Sequence, residues 1–308
     1  MAQSQLSITT DEAQAFKLGL LSAFGAYLLW GVVPGYYKLT AEVPAAIVIC
    51  YRILGSVLFV GGYLALVGKL HQLREIVASK RTFFMVCLAT LLVTTNWLVF
   101  IYSVEADRIL DASLGYFINP LVSVALGVVF LKERLSKGQV LALAISLLAV
   151  LYQTFLLGIF PWISLYLAIS FALYGLVRKR TPVGALSGQL GEVLIATPVA
   201  LFGLAYFGSI GMNVVPHDDP WLLVALIGTG LVTAVPLTLF AYGARRLPLT
   251  YIGFMQYVAP SLQFILAVWV WNETLSWERF LSFAVIWCAL AIFTIDSVYG
   301  YRKRRAAR

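Results

Sequence analysis

Charge is scarce in this chain. Only 12% of the 308 residues are Asp, Glu, Lys or Arg, against 61% that are hydrophobic, too little polar surface to cover a soluble globule of that size. Cysteine and histidine are scarcer still. Cys50, Cys87 and Cys288 fall inside apolar runs without metal-ligand spacing and read as small core residues rather than a disulfide framework. His71 and His217 lie between runs, no HExxH occurs and no acid pair sits inside a run, so hydrolytic chemistry within the membrane lacks its groups. Nor does any glycine loop end in Lys-Ser or Lys-Thr to hold a nucleotide phosphate. No metal and no cofactor is expected.

What the chain has in abundance is apolar length. A helix needs about 20 apolar residues to cross roughly 30 Å of hydrocarbon, and ten such runs lie near 16–37, 44–67, 82–103, 109–131, 137–157, 160–178, 184–207, 219–242, 250–271 and 278–299. The sequence predicts an all-α integral membrane protein of ten transmembrane helices. Residues 138–177 carry no charge and are too long for one crossing, which puts a turn at Gly158-Ile159-Phe160-Pro161. The polar residues 1–15 read as a short tail without the basic start of a cleaved leader, and 300–308 as a basic tail. A net charge of +8 would suit nucleic acid, but its distribution argues for a lipid bilayer as partner instead. Numbering the run ends alternately, 18 of the 22 Lys and Arg fall on the side of the N-terminus, and only Lys38, Arg108 and Arg279 on the other. That bias predicts both termini in the cytoplasm.

The chain also repeats itself. SLGYFINPLVSVALGVVFLKERLS, from Ser113, and GFMQYVAPSLQFILAVWVWNETLS, from Gly253, align 140 positions apart and match at Pro120 and Pro260, Glu133 and Glu273, and Ser136 and Ser276. A shift of five runs reverses direction across the membrane. The expected organisation is therefore two inverted five-helix repeats, 1–158 and 159–308, an architecture that commonly holds a substrate near the midplane and suits alternating access.

Arg52 and Glu192 are the ionisable residues deepest inside apolar runs, and they too lie 140 positions apart. A charge at a helix centre costs roughly 2.5–3.5 kcal/mol on insertion scales, so each needs a partner. A permanent ion pair, a substrate-binding pair and a proton-coupled Glu192 with Arg52 as counter-charge all satisfy that need. Polar and aromatic groups at similar depth complete the candidates: Trp30, Asn96, Trp97, Tyr116, Asn119, Tyr174, Gln189, Gln256 and Tyr257. The amides weigh most because a buried amide requires partners. Pro120 and Pro260 each remove a helix hydrogen bond and press on the carbonyl four residues back, predicting a kink in each half. Glu133 and Glu273 read as anchors at run ends, with Ser136 and Gln139 at capping-box spacing. Gly31-x-x-x-Gly35 and Gly184-x-x-x-Gly188 permit close helix contact, which would also admit a homodimer.

AYLLWGVVPGYYK (26–38), YRILGS (51–56), NWLVFIYSV (96–104), ASLGYFINPLVSVALGVVFLKERLS (112–136) and FALYGLVRK (171–179) resemble the RarD family of EamA-type permeases in the drug/metabolite transporter superfamily. The resemblance spans almost the whole chain and implies a ten-helix bundle in a bacterial inner membrane that exports small metabolites or drugs. The family's His-Arg and Glu-Thr read Tyr51-Arg52 and Glu192-Val193 here, so the charged member stands at each place. A non-transporting receptor or scaffold, or a membrane-embedded enzyme, is the alternative expectation; neither uses the repeat or the midplane charges.

Overall fold

The computed structural model describes residues 2–105, 109–157, 162–212, 219–270 and 277–306, and among these there is no strand. Helix α1 runs Ala2–Tyr37 and is followed, after a single 3₁₀ turn, by α2, Ala45–Ser56. A π-helical segment, Val57–Gly61, joins α2 to α3, Gly62–Leu66, and the short α4 spans Arg74–Val77. The long helices α5 (Lys80–Glu105), α6 (Ile109–Leu131), α7 (Lys137–Leu157), α8 (Trp162–Arg180), α9 (Ala185–Ser209) and α10 (Pro220–Ala244) come next. Finally α11 (Leu249–Met255), α12 (Val258–Trp269) and α13 (Trp277–Ala306) complete the chain.

Among the described residues, five helices are long and apolar enough to cross a membrane on their own: Ala13–Thr40, Ala45–Leu66, Lys80–Phe100, Ala185–Ser209 and Pro220–Ala244, with shorter apolar helices at Gly115–Leu131, Lys137–Tyr152 and Ala284–Tyr299. Their outer faces carry large apolar side chains such as Leu66, Phe155 and Phe202 in the open, as lipid-facing surfaces do. Trp162, Trp221, Trp269 and Trp277 are all exposed at helix ends, the position of an interfacial aromatic belt. The chain is an integral membrane protein.

Local chemistry explains the element boundaries. Asp219 accepts the Leu222 N–H at 3.0 Å while Pro220 occupies the first turn, a strong start for α10. Ser136 Oγ accepts the Gln139 N–H at 3.1 Å and Gln139 Oε1 accepts the Ser136 N–H at 3.0 Å, the reciprocal capping box ahead of α7. Lys132 takes a positive φ of 55°, which ends α6 and turns the Glu133 N–H back to the Gly127 carbonyl at 3.1 Å.

The polar residues before position 16 are helical and continuous with α1, whose apolar span begins at Ala13. The two prolines behave differently. Helix α6 passes through Pro120 unbroken, whereas the corresponding run stops at Met255 and resumes at Val258, just ahead of Pro260. There the Gln256 and Tyr257 N–H groups tighten to i−3 carbonyls, at 3.1 and 3.3 Å, and Pro260 has no N–H to give the Gln256 carbonyl. The predicted turn at 158–161 and Glu273 with Ser276 lie outside the described residues.

In the bundle, α1 packs on α10 and α12, α8 on α5 and α6, α2 on α9 and α10, α5 on α9, α6 on α11, and α7 on α13. The main core gathers Tyr27, Tyr174, Leu237, Phe240 and Ile252 among others from α1, α8, α10 and α11.

Candidate functional site

Arg52 sits where α2 crosses α10. Gly55 and Gly230 let the two backbones touch, since a Cβ on Gly55 would overlap the Ile227 carbonyl and the Gly230 backbone, and Ser56 Oγ donates to the Gly230 carbonyl at 3.0 Å. This crossing sets the Arg52 guanidinium beside α10, where Nε donates to Thr233 Oγ1 at 3.0 Å. Its Cζ lies 4.5 Å from the centre of the Trp97 ring and 5.5 Å from that of Tyr37, both in the range of cation–π attraction. Tyr116 comes from α6 and packs on Phe100, one turn beyond Trp97 on α5, with ring centres 6.2 Å apart. Arg52, Tyr37 and Trp97 are half-buried, and Tyr116 is 42% exposed although it lies within an apolar run. Five helices thus converge on one accessible cation.

Glu192 is in a different environment. Its Oε1 lies 3.3 Å from Arg178 Nε, its Oε2 accepts the Tyr174 hydroxyl at 3.1 Å, and the two charged side chains are only 1% and 2% exposed. The Arg178 Nη2 also donates to the Ala185 carbonyl at 3.0 Å. The turn after α8 returns the chain so closely that the guanidinium lies against Gly188, where any Cβ would overlap it. Tyr174 stacks on Phe240, at 5.9 Å and 14°, and Trp30 and Phe171 pack on the same Phe240. Phe240 is seven residues beyond Thr233 on α10, about 10 Å along the axis. A layer of aromatic rings therefore separates the accessible cation from the buried ion pair.

Arg52 and Glu192 consequently do not face one another, as their spacing suggested. Each instead faces the end of the helix before its own: Arg52 meets Tyr37 of α1, and Glu192 meets Arg178 of α8. Arg178 had the appearance of one more basic residue at a run end. Its side chain turns inward because Gly188 leaves room, and a glycine one turn before an intramembrane glutamate was the available signal.

The remaining candidates are distributed between these groups. Asn96 Nδ2 donates to the Leu167 carbonyl and to Ser170 Oγ, both at 2.9 Å, tying α5 to α8. Asn119 Oδ1 accepts from Ser123 one turn on in α6. Tyr257 donates across the bundle to the Phe117 carbonyl at 3.2 Å. Gln189 and Gln256 are buried, and neither the Gln189 oxygen nor either Gln256 amide atom has a hydrogen-bond partner among the described residues. Gln256 lies in the gap between α11 and α12. Among the described residues no group of His, Cys, Asp or Glu could hold a metal ion.

Glu133 joins distant segments. Its Oε1 accepts the Leu249 N–H at 2.6 Å, and its Oε2 accepts the Thr250 N–H and hydroxyl at 2.9 and 2.6 Å. It caps α11, which has no side-chain cap of its own. Basic residues on the same face bind carbonyls at helix ends and in the turns between helices: Lys179 those of Ala244 and Leu247, Arg180 that of Phe130, Arg245 that of Val183. Cations there also suit the negative helix ends.

A bundle of apolar helices with charges fixed between them defines a multi-pass membrane protein, and comparison with known proteins narrows the class. Residues 17–155 match the EamA-like transporter family. The Protein RarD of Escherichia coli (strain K12) is 40% identical over 95% of this chain and 99% of its own length. An uncharacterized transporter of Vibrio cholerae is 38% identical over 96% and 99%, and the chloramphenicol-sensitive protein RarD of Pseudomonas aeruginosa 32% over 93% and 96%. A solved crystal structure at 17% identity shares the fold, with a TM-score of 0.68 over 90% of this chain and 97% of that one. This chain belongs to the RarD family of EamA-type permeases, membrane transporters of the drug/metabolite superfamily.

Proposed function

We propose that the protein exports a small metabolite or drug across the bacterial inner membrane by alternating access, as a secondary transporter of two inverted five-helix repeats with cytoplasmic termini. The observation that carries this reading is the way helix contacts exchange. A shift of 140 residues takes α1 to α8, α2 to α9, α5 to α10, α6 to the α11–α12 pair and α7 to α13. Under that shift the α6–α8 contact becomes α12–α1, α5–α8 becomes α10–α1, and α2–α10 becomes α9–α5, while α2–α9, α7–α13 and α6–α11 map onto themselves. A two-fold axis in the membrane plane requires this pattern.

The departures from that symmetry supply the mechanism. Inverted halves in different conformations open one face of a bundle and close the other. Here α6 is continuous and its counterpart broken, and position 52 is accessible whereas position 192 is sealed beneath aromatic rings. With the N-terminus in the cytoplasm, the Glu133, Lys179 and Arg245 contacts close the cytoplasmic face and Arg52 lies in the outer half. This supports an outward-facing state. Saturable counterflow in sealed vesicles, screened with amino acids, aromatic metabolites and amphenicols, tests the reading. Folded, inserted protein that moves none of them would favour a scaffold.

A further inference from the structure

We infer that the Arg52 group recognises a small organic monocarboxylate with an aromatic body, which rests on the transport reading above and names the substrate class. The inference starts from a charge imbalance. Two opposite charges lie deep in the membrane helices, yet among the described residues only the anion has a partner of opposite sign: Glu192 meets Arg178 and also accepts the Tyr174 hydroxyl. Among the described residues no carboxylate meets Arg52, whose one hydrogen bond runs from Nε to Thr233. That bond and the ring faces of Trp97 and Tyr37 fix the guanidinium plane while leaving both Nη groups without an acceptor among the described residues.

A fixed positive charge at this depth is costly until an anion arrives. The two free N–H forks match the two oxygens of a carboxylate, which a guanidinium binds in parallel. One cation neutralises one negative charge, so a dianion such as a phosphate monoester would keep an unpaired charge in a low-dielectric setting. The walls choose the rest of the molecule. Trp97, Tyr37 and the exposed Tyr116 offer aromatic surface on which a planar ring packs edge or face.

The test is binding, which separates it from transport. Wild-type protein in lipid nanodiscs is titrated with 3-phenylpropionate and with its neutral amide. The carboxylate is expected to bind at least about ten-fold tighter, the scale of one charge-assisted pair. Arg52→Gln should erase that preference. Thr233→Val, a milder change that releases Nε, should weaken carboxylate binding more than amide binding and so narrow the preference; an unshifted unfolding midpoint identifies which variants are folded. Equal binding of acid and amide to the wild type, or a preference that survives in folded Arg52→Gln protein, overturns the assignment, as does failure of every aromatic monocarboxylate from benzoate to indole-3-acetate to bind. If a carboxylate binds at Arg52 but shows no counterflow, the transport reading fails and the site stands. If counterflow of the carboxylate persists undiminished in folded Arg52→Gln protein, transport stands and the carboxylate assignment falls.

Discussion

Arg178 Nε lies 3.3 Å from Glu192 Oε1 across the α8–α9 hairpin, and almost nothing of either side chain reaches the surface. Removing one member of such a pair strands the other charge, a loss of about 3–5 kcal/mol, whereas replacing both by apolar residues of similar volume is often neutral. Arg178→Gln and Glu192→Gln are therefore each expected to lower stability by that amount in a denaturant titration. The double change Arg178→Met with Glu192→Leu should recover it. If Glu192 also exchanges its partner for a proton during transport, the stable double variant will keep counterflow but lose export driven by a pH gradient. Wild-type pH-driven export in that variant would reduce the pair to a structural role.

Glu133 presents a simpler case, because its oxygens satisfy backbone N–H groups that nothing else caps. Glu133→Ala should cost about 1–2 kcal/mol, and Glu133→Gln less, since one acceptor remains. Thr250→Val removes only the hydroxyl contact and should be the mildest of the three. Thermal midpoints ranked in another order would show that Glu133 does not act through capping.

Glycine substitutions can separate packing from helix preference. A Cβ at Gly188 overlaps the Arg178 guanidinium, while one at Gly35 meets nothing within 4 Å. Gly188→Ala should therefore displace Arg178 and destabilise the protein nearly as much as Glu192→Gln. Gly35→Ala should be neutral or stabilising by up to about 1 kcal/mol, the ordinary helix gain over glycine. Matching unfolding curves for the two variants would remove Gly188 from the ion-pair argument.

Much of this architecture is legible in the sequence because lipid imposes simple rules. Apolar length marks helices, and Ser136 with Gln139 announces a cap that the structure forms. What the sequence does not carry is rotation about each helix axis. Arg52 and Glu192 were found as costly residues, but which neighbour relieves the cost depends on the faces that α2 and α9 present. Thr233 and Tyr37 are ordinary residues in their own runs, and only the close α2–α10 crossing at Gly55 and Gly230 brings Thr233 to the guanidinium. Periodicity fails at the prolines for a similar reason. Pro120 and Pro260 stand in matching contexts, yet packing keeps one helix whole and opens the other.

That difference gives the final prediction. In the gap before Pro260, buried Gln256 lacks hydrogen-bond partners among the described residues, and Tyr257 reaches across to the Phe117 carbonyl of the unbroken helix. A gap with unsatisfied polar groups beside a continuous partner is what a hinge occupied in one of two states would leave. Pro260→Ala restores an N–H that can bond the Gln256 carbonyl, so the helix should straighten, with membrane abundance kept and stability unchanged or raised by about 1 kcal/mol. Transport should fall, because the broken geometry is no longer favoured. Pro120→Ala alters a helix that is already continuous here and should reduce counterflow less. Abundance by immunoblot and flux per molecule decide the matter. Equal loss of both in Pro260→Ala would mark a folding defect, and a larger flux loss from Pro120→Ala would move the hinge to the other half.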